Sequence, residues 1–141
     1  MTASTSAYRT VSVITPILNE EECLEAFYQR TTAVMSQCNL DDYELVIIDD
    51  GSIDRTSAIL ERLSAADRHV KVITLSRRFG HHPAVFAGLE FASGDVVVII
   101  DGDLQDPPEL IPQLVAERTK AMSWCSPSAS RLLRAAGFCA P

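Results

Sequence analysis

Four short apolar runs, separated by segments of helical periodicity, constrain the fold of this chain more than any other feature. The clearest run is Val-Val-Val-Ile-Ile at residues 96–100. A continuous β-branched run of this length is typical of a strand buried in a parallel sheet. The alternation of strands and helices predicts an α/β fold with an open, doubly wound, mostly parallel sheet, right-handed crossovers and helices on both faces.

Periodicity and capping residues give approximate element bounds. Pro16 is expected to end the first strand, and Asn19, Asp54 and Asp106 are expected to cap the helices after the first, second and fourth strands. The first helix should bury one face, formed by Leu24, Phe27, Thr31, Val34, Met35 and Cys38. The predicted strands cover residues 11–15, 43–48, 70–75 and 96–100, and the predicted helices follow each of them, the third over 82–92 and the fourth from 107 to about 117.

Polar side chains follow three of the four strands. Asp101 and Asp103 come directly after the fourth strand, Asp49-Asp50 after the second and Asn19-Glu20 after the first. The carboxyl ends of parallel strands meet at one crevice, where open α/β sheets bind ligands. Two carboxylates so close favour a cation between them, and oxygen ligands suit Mg or Mn. The alternative is a polar turn with two solvated aspartates.

Charge and composition exclude several classes of function. A net charge of -7 argues against nucleic-acid binding. No apolar stretch reaches the length of a membrane span, and residues 1–10 lack the apolar core of a signal peptide. The four cysteines show no C-x-x-C spacing, so we expect free thiols and a cytoplasmic location.

The chain divides into three predicted parts. Residues 1–9 are expected to be a flexible N-terminus, and residues 10–119 carry the α/β pattern. Residues 120–141 form an atypical tail, because no Asp or Glu occurs after residue 117. One hypothesis is a frameshift near Lys120 that truncated a longer protein, since the codons of residues 121–125 shifted by one base can encode a strand-like Gly-Tyr-Val-(Val/Leu/Met)-Val. The alternative is a flexible tail.

The chain has no G-x-G-x-x-G, P-loop or G-x-S-x-G motif, which disfavours dinucleotide, P-loop and serine-hydrolase sites. It resembles instead the family 2 glycosyltransferases of GT-A fold, whose nucleotide-binding half is Rossmann-like. The closest resemblance is to polyprenyl-phosphate sugar transferases of the dolichol-phosphate mannosyltransferase and undecaprenyl-phosphate glucosyltransferase type. The matching motifs, in order, are PILNEEE (16–22), DDGSIDRT (49–56), SRRFGHHPAVFAGLEFASGD (76–95) and DGDLQDPPELIP (101–112).

The resemblance implies roles for individual residues. Asp101 and Asp103 match the catalytic, metal-binding DxD motif, and Gln105 matches a third metal contact. Gly102 is a small residue that suits close approach of the sugar nucleotide. The remaining implied nucleotide contacts are Pro16, Leu18 and Glu20 in the first loop, with Ile48 and Asp50 holding the base. Leu18 replaces a tyrosine common in the family.

Several neighbouring residues have simpler interpretations. Asp49 is expected to cap its turn, and His81 and His82 are expected to pack or cap at a helix start. Arg77 and Arg78 could reach a phosphate, although solvated arginines near a strand end are equally compatible with the sequence.

The implied reaction is the metal-dependent, inverting transfer of a sugar from a nucleotide sugar, of the UDP-glucose or GDP-mannose type, to a polyprenyl phosphate at the cytoplasmic face of a membrane. The family pattern continues beyond this chain, so a truncated half-domain with little activity and an uncovered sheet edge is expected. Two alternatives remain: a non-catalytic fragment that binds nucleotide and metal, and a phospho-acceptor receiver domain.

Overall fold

The structure, a computed structural model, describes residues 10–121, with side-chain surroundings up to residue 116. The predicted flexible N-terminus (1–9) and residues 122–141 of the atypical tail lie outside the described residues. The described elements are β1 (Thr10–Ile17), α1 (Leu24–Gln37), β2 (Asp42–Asp49), α2 (Thr56–Ala66), β3 (Val70–Thr74), α3 (His81–Phe91), β4 (Val96–Ile99), a 3-10 turn (Pro108–Leu110) and α4 (Ile111–Ala121).

The four strands form one parallel sheet in the order β3-β2-β1-β4. This order confirms the doubly wound α/β prediction. It also removes the receiver-domain alternative, because that fold has the order 2-1-3-4-5. The connection direction reverses between β1 and β4, and a doubly wound sheet opens its ligand crevice at such a point.

The core lies on both faces of the sheet. On one face α1, α2 and α4 bury Phe27, Leu60 and Ile111 in a large apolar cluster against β1, β2 and β4. On the other face α3 covers a smaller cluster that includes Ile14 and Ile48. The predicted buried face of α1 is confirmed, because Leu24, Phe27, Thr31 and Met35 are buried there. The sheet is therefore covered by three helices on one side and one on the other.

Helix α3 approaches the sheet closely through Gly88. A Cβ atom at this position would lie 2.6 Å from Ile14 Cγ2 and 2.7 Å from Ile48 Cδ1. The small residues that the sequence places on this helix thus allow it to pack directly on β1 and β2. Its outer surface leaves Phe86 and Phe91 exposed.

Strand β1 continues through Pro16 to Ile17, so the prediction that Pro16 ends it is wrong. The carbonyl of Ile17 accepts the N–H of Asp50, the residue that follows β2, whereas the carbonyl of Ile14 accepts the N–H of Ile100 on the β4 side. Successive residues of a strand direct their backbone N–H and C=O groups to alternate sides, so the backbone nitrogen of Pro16 faces the β4 side. Pairing with β4 stops at Ile14, and the missing N–H of Pro16 therefore costs no ladder bond.

Two of the predicted caps are also wrong. Asn19 adopts φ 53 and its Oδ1 accepts the N–H of Ile53 at 2.9 Å, while α1 begins five residues beyond it, at Leu24. Asparagine is suited both to helix caps and to the left-handed region of backbone conformation. Here the hydrogen bond with the loop that contains Ile53 favours the left-handed conformation. Asp106 does not cap α4, because the 3-10 turn beginning at Pro108 separates them. Asp54 does accept the N–H of Thr56, the first residue of α2, at 3.0 Å.

A buried carboxylate connects all four strands at their amino ends. Glu44 in β2 accepts hydrogen bonds from Ser12 in β1 and from the backbone and side chain of Ser93, just before β4, and it pairs with Lys71 in β3. Burial alone would raise the pKa of Glu44, but the hydrogen bonds from Lys71, Ser12 and Ser93 outweigh it and lower that pKa to about 2. The network fixes β4 relative to the rest of the sheet.

Candidate active site

A cleft of ≈ 250 Å³ opens at the carboxyl edge of the sheet, where β1 and β4 diverge. Its walls come from the segments that follow β1, β2, β3 and β4. The lining residues are Pro16, Ile17, Leu18, Glu20, Asp50, Arg78, His81, Asp101, Gly102 and Asp103.

The loop after β4 presents Asp101 and Asp103 to the cleft. Oδ1 of Asp103 accepts the N–H of Gln105 at 3.0 Å, which closes a tight turn. Leu104 lies in the left-handed region with φ 64, and its side chain packs against the large apolar cluster. Gly102 is buried beneath the loop, where a Cβ would lie 2.6 Å from Ile17 Cγ2. These contacts hold the backbone of the loop that carries both carboxylates.

His81, the first residue of α3, lies against this loop. Its Nε2 is 3.1 Å from Oδ1 of Asp101, and the imidazole is half-exposed. His81 lies at a helix start, as predicted, and in addition it makes a contact with Asp101 that was not predicted. The sequence could not show this contact, because it depends on where the start of α3 lies relative to the end of β4.

Asp50, at the end of β2, is almost fully buried and organises the loop before α3. Its two oxygens accept the backbone N–H groups of Phe79 at 2.7 Å and Gly80 at 3.0 Å. Gly51 allows the loop before α3 to lie close to the end of β2, since a Cβ at Gly51 would lie 2.8 Å from the backbone nitrogen of Arg78. The neighbouring Asp49 holds its own turn by accepting the N–H of Ser52 at 2.9 Å, as the sequence predicts.

Negative charge is concentrated in the cleft. Burial raises the pKa of Glu20, and the nearby charges of Asp103 and Asp54 raise it further. Four carboxylates thus line the cleft against two basic side chains, Arg78 and His81. Repulsion between carboxylates is relieved by a bound cation or by protonation.

The donor set fits a divalent cation that shares its ligands with a substrate. Within residues 10–116, no group of three or more His, Cys, Asp or Glu side chains is placed to enclose a metal. Mg²⁺ is commonly held by one or two carboxylates together with substrate phosphates, and Asp101 and Asp103 supply that number of oxygen ligands. Gln105, the predicted third contact, is exposed and lies outside the cleft lining.

Most of the site residues predicted from the sequence meet at this cleft, with two exceptions, Gln105 and Ile48. Ile48 is fully buried under α3, so the side-chain contact with a base that the resemblance implied does not fit this arrangement. Its neighbour two positions on, Asp50, reaches the cleft instead. The sequence did not indicate a role for Ile17, and it indicated a role in the site for Arg78 and His81 only weakly. The predicted residues that line the cleft are Pro16, Leu18, Glu20, Asp50, Asp101, Gly102 and Asp103.

Comparison with known proteins places this arrangement among glycosyltransferases. The sequence model described as "Glycosyl transferase family 2" matches residues 12–123. An uncharacterized glycosyltransferase of Bacillus subtilis, YkcC, is 46% identical over 104 residues, covering 74% of this chain and 32% of that protein. The undecaprenyl-phosphate 4-deoxy-4-formamido-L-arabinose transferase of Proteus mirabilis is 40% identical, covering 89% of this chain and 42% of that protein.

Solved structures share the fold. A mannosyltransferase from Pyrobaculum calidifontis, in complex with GDP-Man and Mn²⁺, aligns with a TM-score of 0.64 at 26% identity, over 78% of this chain and 32% of that one. Glucosyl-3-phosphoglycerate synthase from Mycobacterium tuberculosis, with Mn²⁺, UDP and phosphoglyceric acid, aligns with a TM-score of 0.62 at 30% identity, over 79% of this chain and 39% of that one. The chain spans between about a third and two fifths of the length of these relatives.

Proposed function

The chain belongs to glycosyltransferase family 2 and has the GT-A fold, and from this premise we propose that it is the donor-binding part of a polyprenyl-phosphate sugar transferase. The whole enzyme would move a sugar from a nucleotide sugar to a polyprenyl phosphate at the cytoplasmic face of a cell-envelope membrane. Undecaprenyl-phosphate transferases among the relatives support the acceptor class.

One observation carries this proposal. The segments that follow β1, β2 and β4 are far apart in sequence. They bring four carboxylates to the same cleft at the switch point of the sheet, those of Glu20, Asp50, Asp101 and Asp103. Doubly wound sheets bind nucleotides there. The loop of Pro16, Leu18 and Glu20 would contact the nucleoside, and a remaining lone pair of Asp50 would accept a hydrogen bond from the base.

Asp101 and Asp103, as the DxD motif, would hold Mg or Mn against the donor diphosphate, with Gln105 as a further contact. When bound, the metal would supply Lewis-acid stabilisation of the leaving nucleoside diphosphate. The Leu104 turn and the buried Gly102 hold both carboxylates in place, so little reorganisation would be needed. His81 would orient the Asp101 carboxylate through their 3.1 Å contact.

The acceptor needs little activation. A phosphate monoester is already largely dianionic near neutral pH, with a second pKa of about 6. Direct displacement at the anomeric carbon would invert its configuration without a strong general base. The role of the chain would be to position the donor and to exclude water, which are major contributions to catalysis.

The second candidate is a fragment that binds nucleotide and metal without turnover. The observation that favours it is coverage, since the chain spans between about a third and two fifths of the length of its relatives. Binding without product would identify this candidate.

A thermal-shift panel with Mn²⁺ or Mg²⁺ and with UDP-glucose, GDP-mannose and other nucleotide sugars tests the donor site. A ligand that binds the folded state raises the midpoint by mass action. We expect a metal-dependent shift for one donor, abolished by Asp103→Ala. Asp106→Ala is the matched control, because Asp106 is an exposed carboxylate three residues away and outside the cleft lining.

A cooperative transition that no nucleotide and no metal shifts would contradict the donor site. Equal shifts in Asp103→Ala and in the parent chain would contradict the role of the DxD motif. Lipid-linked sugar formed by the 141-residue chain from radiolabelled donor and undecaprenyl phosphate would remove the binding-only candidate.

A further inference from the structure

A cationic and aromatic surface borders the cleft on the side of β3. We define the basic rim as Arg77, Arg78, Phe79, His82 and Phe86. The first three residues lie in the loop between β3 and α3, and the last two lie four positions apart on one face of α3. Arg78 also lines the cleft, so the rim and the proposed transfer site are contiguous.

No carboxylate forms a direct ion pair with the arginines of the rim within the described structure. Arg30, Arg55, Arg62 and Arg68 each form an ion pair with an Asp or Glu side chain, and Lys71 pairs with Glu44. Among residues 10–116, the arginines whose guanidinium groups contact no carboxylate are Arg77 and Arg78. Among the residues whose side chains the structure describes, the arginines without carboxylate partners are thus gathered at one edge of the cleft, in a chain of net charge -7.

The aromatic groups of the rim face solvent beside these cations. Arg77 places its guanidinium carbon 4.1 Å from the centroid of the Phe79 ring, and Phe79 is 44% exposed. Phe86 is 67% exposed. Moving an aromatic ring out of water is favourable, and the described fold buries neither of these rings. The interfacial zone of a bilayer accommodates aromatic rings together with cations.

The loop is held in place although it is exposed. Its backbone donates two hydrogen bonds to the buried Asp50, through Phe79 and Gly80, and it packs directly on Gly51. The rim is therefore a preformed surface, so binding a partner would require little ordering of the backbone.

We propose that the basic rim docks on an anionic phospholipid surface and turns the mouth of the cleft toward the bilayer. This inference rests on the proposed function, because a polyprenyl phosphate presents its reactive phosphate at the headgroup level of a membrane. Juxtamembrane arginines gain free energy from anionic leaflets, and exposed aromatic rings partition into the interface. The rim thereby combines charge and apolar contact, two contributions that together strengthen membrane association.

Co-sedimentation of the 141-residue chain with vesicles tests the docking. The chain is expected to bind phosphatidylcholine vesicles that contain phosphatidylglycerol, to bind pure phosphatidylcholine weakly, and to be released by salt. Arg77→Gln/Arg78→Gln should weaken partitioning by about 25-fold, which is about fivefold per arginine. The matched control is Arg62→Gln/Arg68→Gln, which changes the net charge equally on α2 and the following loop and should leave partitioning within about twofold.

Phe86→Ser separates the aromatic contribution from charge. It should weaken partitioning, whereas Phe91→Ser, an exposed phenylalanine at the far end of α3, should not. Circular dichroism establishes that each variant folds. Equal effects of the rim pair and the control pair, or binding to both kinds of vesicle alike, would overturn the proposal.

Arginine footprinting on the unsubstituted chain needs no variant. Phosphatidylglycerol vesicles should slow the phenylglyoxal modification of Arg77 and Arg78, while the 85% exposed Arg55 side chain serves as an internal reference. Uniform protection, or none, would overturn the docking. A metal-dependent donor shift that persists when vesicle binding fails would refute only the docking, whereas loss of the donor shift in the parent chain would refute the proposed function.

Discussion

The carboxylate of Asp50 accepts the backbone N–H of Gly80 at 3.0 Å, across thirty positions of sequence. Its other oxygen accepts the N–H of Phe79 at 2.7 Å. One buried side chain at the end of β2 therefore defines both the cleft wall and the path of the loop that carries Arg77 and Arg78.

Replacing Asp50 should loosen this loop. Asp50→Ala would leave two N–H groups without their acceptor, and we expect a loss of about 2–4 kcal/mol in the free energy of unfolding. Asp50→Asn keeps one acceptor oxygen and should cost less. Urea denaturation measures both, and amide exchange at Phe79 and Gly80 should accelerate. Asp106→Ala, at an exposed position, should stay within about 0.5 kcal/mol of the parent. Equal stability of Asp50→Ala and Asp106→Ala would refute the anchoring role.

Two glycines with positive φ should differ in their tolerance of a side chain. Gly51, with φ +81, would place a Cβ 2.8 Å from backbone nitrogen of Arg78, whereas the nearest atom to a Cβ at Gly80, with φ +106, is 4.0 Å away. Gly80 also has ψ 170, in a region almost confined to glycine, so Gly80→Ala should cost backbone strain of about 1–3 kcal/mol. Gly51→Ala should cost more, because a clash with the Arg78 backbone adds to the strain and the loop must also move. Chemical denaturation of the pair decides, and a larger loss in Gly80→Ala would contradict the described packing.

Gly88→Ala tests the close contact of α3 with the sheet. Helix propensity alone favours alanine by about 1 kcal/mol. The contacts with Ile14 and Ile48 instead predict a loss of about 1–3 kcal/mol from overpacking. The sign of the change in unfolding free energy separates the two effects. Ile48→Val removes the Cδ1 atom that lies 2.7 Å from the new Cβ, so Gly88→Ala should be less damaging in that background.

The buried Glu44 should make the protein sensitive to acid. Its pKa is lowered from 4.5 to about 2 in the folded state, so the unfolded chain takes up a proton first as the pH falls. The stabilisation is fully present above about pH 4.5 and is lost as the pH falls through about 2, a change of about 3 kcal/mol. Urea midpoints across this range should fall less steeply in Glu44→Gln. Glu61→Gln, at an exposed position on α2, is the control and should keep the parent slope.

The strands and the loop after β4 could be predicted from the sequence because both are encoded locally. The run at residues 96–100 is apolar on both sides, and as β4 it contributes side chains to the apolar clusters on both faces of the sheet. Asp101 and Asp103 follow it directly, so their position at the sheet edge required no knowledge of distant contacts. Glu20 and Asp50 reached the same cleft for the same reason, since each follows the carboxyl end of a parallel strand.

The errors arose where distant residues decide the local structure. The sequence predicts Asn19 as a helix cap, yet its side chain accepts a hydrogen bond from Ile53 in another loop. Pro16 reads as a strand end, yet its missing N–H faces the side where β4 has already stopped. The contact of His81 with Asp101 depends on the packing of α3 against the sheet, which no local pattern contains.

The left-handed Leu104 has a consequence for how this chain could be engineered. Its backbone adopts a conformation that would cost less for glycine, and its side chain packs against the large apolar cluster. Leu104→Gly would relieve the backbone while releasing the adjacent carboxylates to sample many directions. Selection for thermostability and selection for donor affinity would therefore act on this residue in partly opposed ways. The trade-off would concern one apolar side chain that need not contact the substrate.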